Sequence, residues 1–283
     1  MIEAMSKDYP IRELCAAMEV ARSGYYAWRN GREPARDIAN RLWIERIRRV
    51  YQENKGRYGS PRITEQLRRE GQVCNRKRVE RLMRQHGLRA LSSRKRRVCT
   101  TNSDHDQPIA PNLLLGRAAP TRPDEVWVAD ITYVPTAEGC WLYLAAVMDL
   151  YSRQIVGWSV WESLHAGGPM QALQRALAKR RPAQGLIHHS DRGIQYACYQ
   201  YRHRLQAAGL VPSMSRKGNC YDNAAMEAFW STLKREAMAE SATWSKDRVR
   251  RALFEYIEGS YNRSRLHSSL GYQSPVDFET LND

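Results

Sequence analysis

Leu186-Ile187-His188-His189-Ser190-Asp191-Arg192-Gly193 reads as a short apolar run that ends in a carboxylate and a glycine turn. Asp222-Asn223-Ala224-Ala225-Met226-Glu227-Ala228-Phe229-Trp230-Ser231-Thr232-Leu233-Lys234 reads as a helix, with apolar residues recurring at helical spacing. Thirty-five residues separate Asp191 from Glu227. Upstream, Val126-Trp127-Val128-Ala129-Asp130-Ile131-Thr132-Tyr133-Val134 is a run of strand formers with a carboxylate in its middle. A lone carboxylate in a buried strand is costly to desolvate. Two strand carboxylates and one helical glutamate therefore suggest a gathered set, Asp130, Asp191 and Glu227, that holds metal.

Three carboxylates brought within ~4 Å repel by roughly 4 kcal/mol per pair at an effective dielectric of about 20. A divalent cation offsets that repulsion, and hard oxygen ligands select Mg²⁺ or Mn²⁺ over zinc. Two such ions, ~3.5–4 Å apart, suit phosphoryl transfer, one at the attacking oxygen and one at the leaving oxygen. At about 100° per residue, Asn223, Ser231 and Lys234 fall within about 40° of Glu227, beside the apolar stripe Met226, Phe229, Trp230, Leu233 and Ala237. Lys234 divides evenly between a solvated helix lysine and a phosphate or base contact. Other polar residues read as structural: Asp149 as a hairpin cap, Asp222 as a helix N-cap, Glu162 as solvated, and His188 and His189 as polar strand-end packing.

Around this stretch the pattern gives strands at residues 126–134, 141–148, 154–160, 186–189 and 211–213. Helices are expected at residues 168–180 and 196–208, from Asp222 to about Ser241, and over 246–261. Gly218-Asn219 marks a turn. Three antiparallel strands, then helix, strand, helix, strand, helix, is the order of the ribonuclease-H-like α/β fold, a mixed five-stranded sheet with helices. The expected domains are a short helical segment at 1–36, a helix-turn-helix-like DNA-binding domain at 37–91, a basic linker at 92–120, and the catalytic core with a helical tail at 121–283. In the second of these, Ser60 would cap a helix with Pro61 at its first position. A helix over 75–86 would follow the turn at Gly71.

The net charge is +15, and it is uneven. Residues 1–110 hold 25 Lys and Arg against 13 Asp and Glu, whereas residues 111–283 hold 20 against 17. Such a basic half points to a polyanionic partner, double-stranded DNA. Arg76, Lys77 and Arg78 on the second helix, and Arg94, Lys95, Arg96 and Arg97 at the head of the linker, are the candidate phosphate contacts. The six cysteines form no Cys-x-x-Cys pair, which argues against a structural zinc or a disulfide scaffold. No apolar run approaches the ~20 residues that span a bilayer. A cytoplasmic, nucleoid-associated protein is expected.

Asp130-Ile-Thr-Tyr, His189-Ser-Asp-Arg-Gly and Gly218-Asn-Cys-Tyr-Asp-Asn-Ala-Ala-Met-Glu227, with Lys234 seven residues on, resemble the integrase-type core of bacterial insertion-sequence transposases. The resemblance is to insertion-sequence family three, in particular its second-reading-frame product. It extends to Arg57-Tyr58-Gly59-Ser60-Pro61-Arg62-Ile63 and to the tail from Tyr261 to Pro275. It implies 3′-end cleavage of DNA followed by attack of the freed 3′-OH on a target phosphodiester, with Asp130, Asp191 and Glu227 as the DDE triad. It also implies a homo-oligomer on DNA and fusion to an upstream reading-frame product that supplies a second helix-turn-helix and a zipper. Two other readings stay open: a hydrolytic nuclease of the same fold, and a catalytically silent DNA-binding repressor.

Overall fold

The computed structural model describes residues 1–31, 33–91, 106–216 and 223–282. The expected turn at Gly218-Asn219, the cap Asp222 and the basic run Arg94–Arg97 lie outside the described residues. The chain divides into two compact units, Met1–Ala90 and Leu91–Asp283.

The larger unit is built on a sheet with strand order β3-β2-β1-β4-β5. Its strands are β1 (Val126–Pro135), β2 (Trp141–Asp149), β3 (Ile155–Trp161), β4 (Ile187–Ser190) and β5 (Val211–Met214). The first three form consecutive antiparallel hairpins, and β4 and β5 add in parallel on the other side of β1. This is the expected ribonuclease-H-like arrangement. Asp149 closes the β2–β3 hairpin as expected of a cap. Fully buried, its carboxylate accepts the backbone N–H groups of Tyr151, Ser152 and Asp124.

Helices cover both faces. On one side lie α7 (Gly167–Arg180), α8 (Ile194–Ala197) and α9 (Tyr199–Ala207). Their Ala172, Leu173, Ala176 and Tyr201 pack on Trp127, Ala129, Ala145 and Val156. The approach of α7 is close: a Cβ at Gly157 would sit 2.2 Å from the Ala172 carbonyl oxygen, so β3 needs glycine there. On the other side lie α10 (Ala224–Glu236) and α11 (Lys246–Phe254), the latter passing into a π-helical turn over Glu255–Tyr261. Met226, Phe229, Trp230 and Leu233 meet Val126, Val128, Leu142 and Leu144 in a second core layer. The tail closes with α12 (Pro275–Asn282).

Two helical expectations are corrected. The stretch 196–208 is not one helix, because Cys198 is extended (φ −63°, ψ 151°) and separates α8 from α9. The break sets Tyr196 against Tyr201 edge to face, and both are buried. The helix carrying Glu227 stops at Glu236 rather than near Ser241, since Ala237 leaves helical geometry (φ −128°) as Glu236 turns inward. Of the segment expected as linker, Leu113 and Leu114 pack on the core, and the Leu113 N–H donates to Ser213 Oγ.

The smaller unit holds α1 (Ile2–Met5), α2 (Ile11–Ala17), α3 (Arg22–Arg29), α4 (Ala35–Glu53), α5 (Ser60–Arg69) and α6 (Arg76–Gln85). Ile44, Ile47, Val50, Ile63, Leu67, Val79 and Leu82 are the buried residues that hold α4, α5 and α6 together. The cap of α5 is Gly59, one residue before the expected Ser60, and Ser60 instead is helical and accepts from Thr64 Oγ1 through its carbonyl. Asn75 caps α6 with its side chain on the Lys77 N–H. Among the described residues, no helix is long and apolar enough to cross a membrane.

Candidate active site

Strand register brings the two aspartates together. The parallel β1–β4 pairing runs Val126↔Ile187, Trp127↔His188, Val128↔His189 and then stops. Two steps further along the same register, Asp130 on β1 stands level with Asp191, where the chain has just left β4. Neighbouring strands lie about 4.8 Å apart, so the two carboxylates come from adjacent positions. Both open onto one cleft, walled by Tyr133, Tyr143 and Gln195.

Each carboxylate is oriented by donors. Asp130 Oδ1 accepts the backbone N–H of Ile131 at 2.9 Å, and its Oδ2 accepts the indole N–H of Trp230 at 2.8 Å. Asp191 Oδ1 accepts the N–H of Gly193 at 2.9 Å in a tight turn. A Cβ at position 193 would lie 3.0 Å from that same oxygen, which accounts for the glycine. Burial, then the negative charge of Asp191, pushes the Asp130 carboxyl up to about 7. The Trp230 and Ile131 hydrogen bonds pull the other way, and Glu227 adds a smaller upward push.

Glu227 stands on the exposed side of α10, one turn before Trp230. Among the described residues, no three His, Cys, Asp or Glu side chains converge as a ready-made metal-ligating group. Asp130 and Asp191 share the cleft, whereas Glu227, exposed on the helix, is not among the residues that line it. In kind the donors fit a hard divalent cation, being carboxylate oxygens, one of them raised by burial and then by the charge of its neighbour.

The remaining α10 residues divide. Lys234 is half-buried, its Nζ 4.6 Å from the centre of the Tyr133 ring. Burial lowers its pKa, against the opposing pull of Asp130. Asn223 does not share the open face that the helical wheel gave it. It is 7% exposed and its amide nitrogen donates to the Ala129 carbonyl at 3.1 Å, tying the start of α10 to β1. His188 and His189 are buried strand residues, paired with Tyr201 Oη and with Ser213 and Ser215 Oγ. Glu162, expected as solvated, is exposed but pairs with Lys246 and Arg250.

In the smaller unit Arg76 and Lys77 are exposed on α6. Arg78 is half-buried, with two guanidinium nitrogens on Asn40 Oδ1 at 3.1 and 2.9 Å and its charge over the Trp43 ring.

The chain matches the family "Integrase core domain" over residues 120–220 and again over 208–275, and the family "HTH-like domain" over residues 37–97. It is 46% identical over 267 residues to the insertion element IS600 uncharacterized 31 kDa protein of Shigella sonnei, covering 94% of this chain and 97% of that protein. It is 40% identical over 283 residues to transposase InsF for insertion sequence IS3A of Escherichia coli (strain K12), covering 99% and 98%. The chain belongs to the transposases of insertion-sequence family three. Among solved structures, the HTLV-2 integrase catalytic core domain in complex with magnesium is 12% identical, with a TM-score of 0.43, covering 56% of this chain and 97% of that one.

Several residues of this transposase core escaped the sequence reading. Trp230 was assigned only to the apolar stripe, yet its N–H reaches Asp130. Glu236 and Arg265 form a buried two-pronged ion pair that joins the end of α10 to the tail. Asn262 bonds both the N–H and the carbonyl of Ile155 on β3. The Tyr261–Pro275 motif, quoted above for its resemblance, thus contains residues that clamp the tail to the sheet. A polar residue inside an apolar pattern, such as Glu236, was the one available signal.

Proposed function

We propose that this chain catalyses DNA transposition with Asp130, Asp191 and Glu227 as its reactive carboxylates: cleavage at the 3′ ends of an insertion sequence, then joining of those ends to target DNA. The observation that carries the reading is the pairing of Asp130 and Asp191 in one cleft by the β1–β4 register, with the Asp130 carboxyl held near 7. Such a pair is stable when a cation lies between its members.

Asp130, Asp191 and Glu227 would hold Mg²⁺ or Mn²⁺, two ions in the full complex. When bound, the metal supplies charge neutralisation at the phosphate and lowers the pKa of the attacking hydroxyl. The chain's own residues orient and screen. Ile131 and Trp230 fix the plane of the Asp130 carboxylate, and the Gly193 N–H fixes Asp191. Lys234, held over Tyr133 beside the cleft, brings a positive charge to the DNA strand entering it. In cleavage, a water oxygen forms the new P–O bond and the element's 3′ oxygen leaves. In joining, that 3′-OH attacks a target phosphorus and a target 3′ oxygen leaves, so one P–O bond replaces another.

Duplex DNA is the partner of the smaller unit, with Arg76 and Lys77 free to reach phosphates, Arg78 braced by Asn40, and Arg94–Arg97 adding charge. Two ends must meet one target, which requires more than one copy of the chain on DNA. Fusion to the upstream reading-frame product would add sequence discrimination, because phosphate contacts position a protein without reading bases. A strand-transfer assay on end-bearing oligonucleotides tests the proposal. Joined products support it; cleavage without joining indicates a nuclease, and binding without cleavage a repressor.

A further inference from the structure

Phe229, Leu233 and Met226 serve the core layer beneath α10 through shape alone. Trp230 differs from them. It is 6% exposed, and a buried indole needs a partner for its N–H. Here the partner is Oδ2 of Asp130 at 2.8 Å, across one hundred residues of sequence. The other oxygen, Oδ1, receives the Ile131 N–H at 2.9 Å. One donor on each oxygen fixes the carboxylate plane while leaving a lone pair on each for another ligand.

The donor's place on the helix gives this bond a second consequence. Trp230 follows Glu227 by three residues, so the two side chains occupy neighbouring positions on α10. Ring packing of Trp230 against Phe229, with centroids 4.7 Å apart, stiffens the same turn. The indole bond is therefore a direct link between the strand that carries Asp130 and the helix turn that carries Glu227. A slide or rotation of α10 that displaced Glu227 would have to break it.

We infer that Trp230 is a positioning residue for the metal site: its indole N–H orients the Asp130 carboxylate and sets α10, and with it Glu227, in register with that carboxylate. The inference rests on the reading of Asp130 as a metal ligand. Partners that orient a ligating carboxylate typically change metal affinity 10–100-fold when removed.

The test is a Mn²⁺ titration of the full chain followed by electron paramagnetic resonance, with folding checked by circular dichroism. Trp230→Phe keeps an aromatic ring in the core and removes the N–H together with part of the indole volume, which Leu233→Ala controls for. Its Mn²⁺ Kd should rise about tenfold or more. Leu233→Ala, at a fully buried neighbour on the same helix whose side chain has no donor to offer Asp130, removes more packing and should leave the Kd within about twofold. Should Trp230→Phe lose the fold, 3-benzothienylalanine at position 230 keeps the indole shape with sulfur in place of N–H and should show the same weakening. An unchanged Kd on loss of the N–H, or an equal rise in Leu233→Ala, overturns the inference. Asp130→Asn separates the two levels. If it weakens Mn²⁺ binding while Trp230→Phe does not, the positioning role alone is wrong. If Asp130→Asn itself leaves binding intact, the metal assignment falls and the positioning role falls with it.

Discussion

Replacing Arg265 by alanine should destabilise the larger unit far more than an average surface change. The Glu236 side chain is 2% exposed and that of Arg265 6%. Glu236 Oε2 accepts Arg265 Nε at 3.0 Å and Tyr256 Oη at 2.8 Å, and Oε1 accepts Arg265 Nη2 at 2.9 Å. Alanine removes the two-pronged partner of a buried carboxylate that also meets the Tyr256 hydroxyl and, at 3.7 Å, the Arg235 guanidinium, and breaking such a pair from one side costs about 3–5 kcal/mol. For a domain of this size each kcal/mol moves Tm by roughly 2–4 °C, so the expected drop is about 6–20 °C. The pair anchors the last turn of α10, so strand transfer should fall by more than the loss of folded protein explains. Thermal and urea unfolding of the full chain measure the first effect, and joining per folded molecule the second. The double variant Glu236→Leu with Arg265→Met removes both charges and should recover most of the stability, because apolar replacements of a whole buried pair are often neutral or better. A loss under about 1 kcal/mol for Arg265→Ala, or a double variant no better than the single, would refute the reasoning.

Asp130→Asn, Asp191→Asn and Glu227→Gln keep shape and remove a ligand charge, so each should abolish cleavage and joining while DNA binding in a mobility-shift assay persists; near-normal joining by any one of them removes that residue from the triad. Mg²⁺ or Mn²⁺ should support joining of labelled oligonucleotides, and Ca²⁺ should permit binding with little chemistry, since its loose coordination positions the reacting oxygens poorly. Full activity after exhaustive chelation would exclude the metal mechanism. A fragment of residues 1–110 should bind duplex DNA with an affinity that falls in salt by a slope of ~0.9 per phosphate neutralised. Arg76→Ala with Lys77→Ala should flatten that slope more than Arg78→Ala, whose side chain is already engaged by Asn40; the reverse order would move the DNA face off the exposed edge of α6.

What the sequence determined by itself is what local periodicity carries. A run of strand formers over residues 126–134 marked β1 and made Asp130 conspicuous, because an acid among strand formers has few inexpensive structural explanations. The apolar stripe on α10, the short hairpin spacings and the basic excess before residue 110 are also local, and together they gave the order of elements and hence the fold class. Tertiary structure decided everything that depends on which distant residues meet. The register Val128↔His189 sets Asp130 level with Asp191, and no spacing within either strand contains that number. A helical wheel placed Asn223 beside Glu227 on an open face, but the sheet took it as a tie to Ala129, since a wheel gives direction and not neighbour. Trp230 looked like one more apolar residue until its N–H met Asp130. Glu236 gains its two-pronged partner only because the tail returns Arg265 to it, and the low dielectric there makes such a buried charge acceptable only when it is paired.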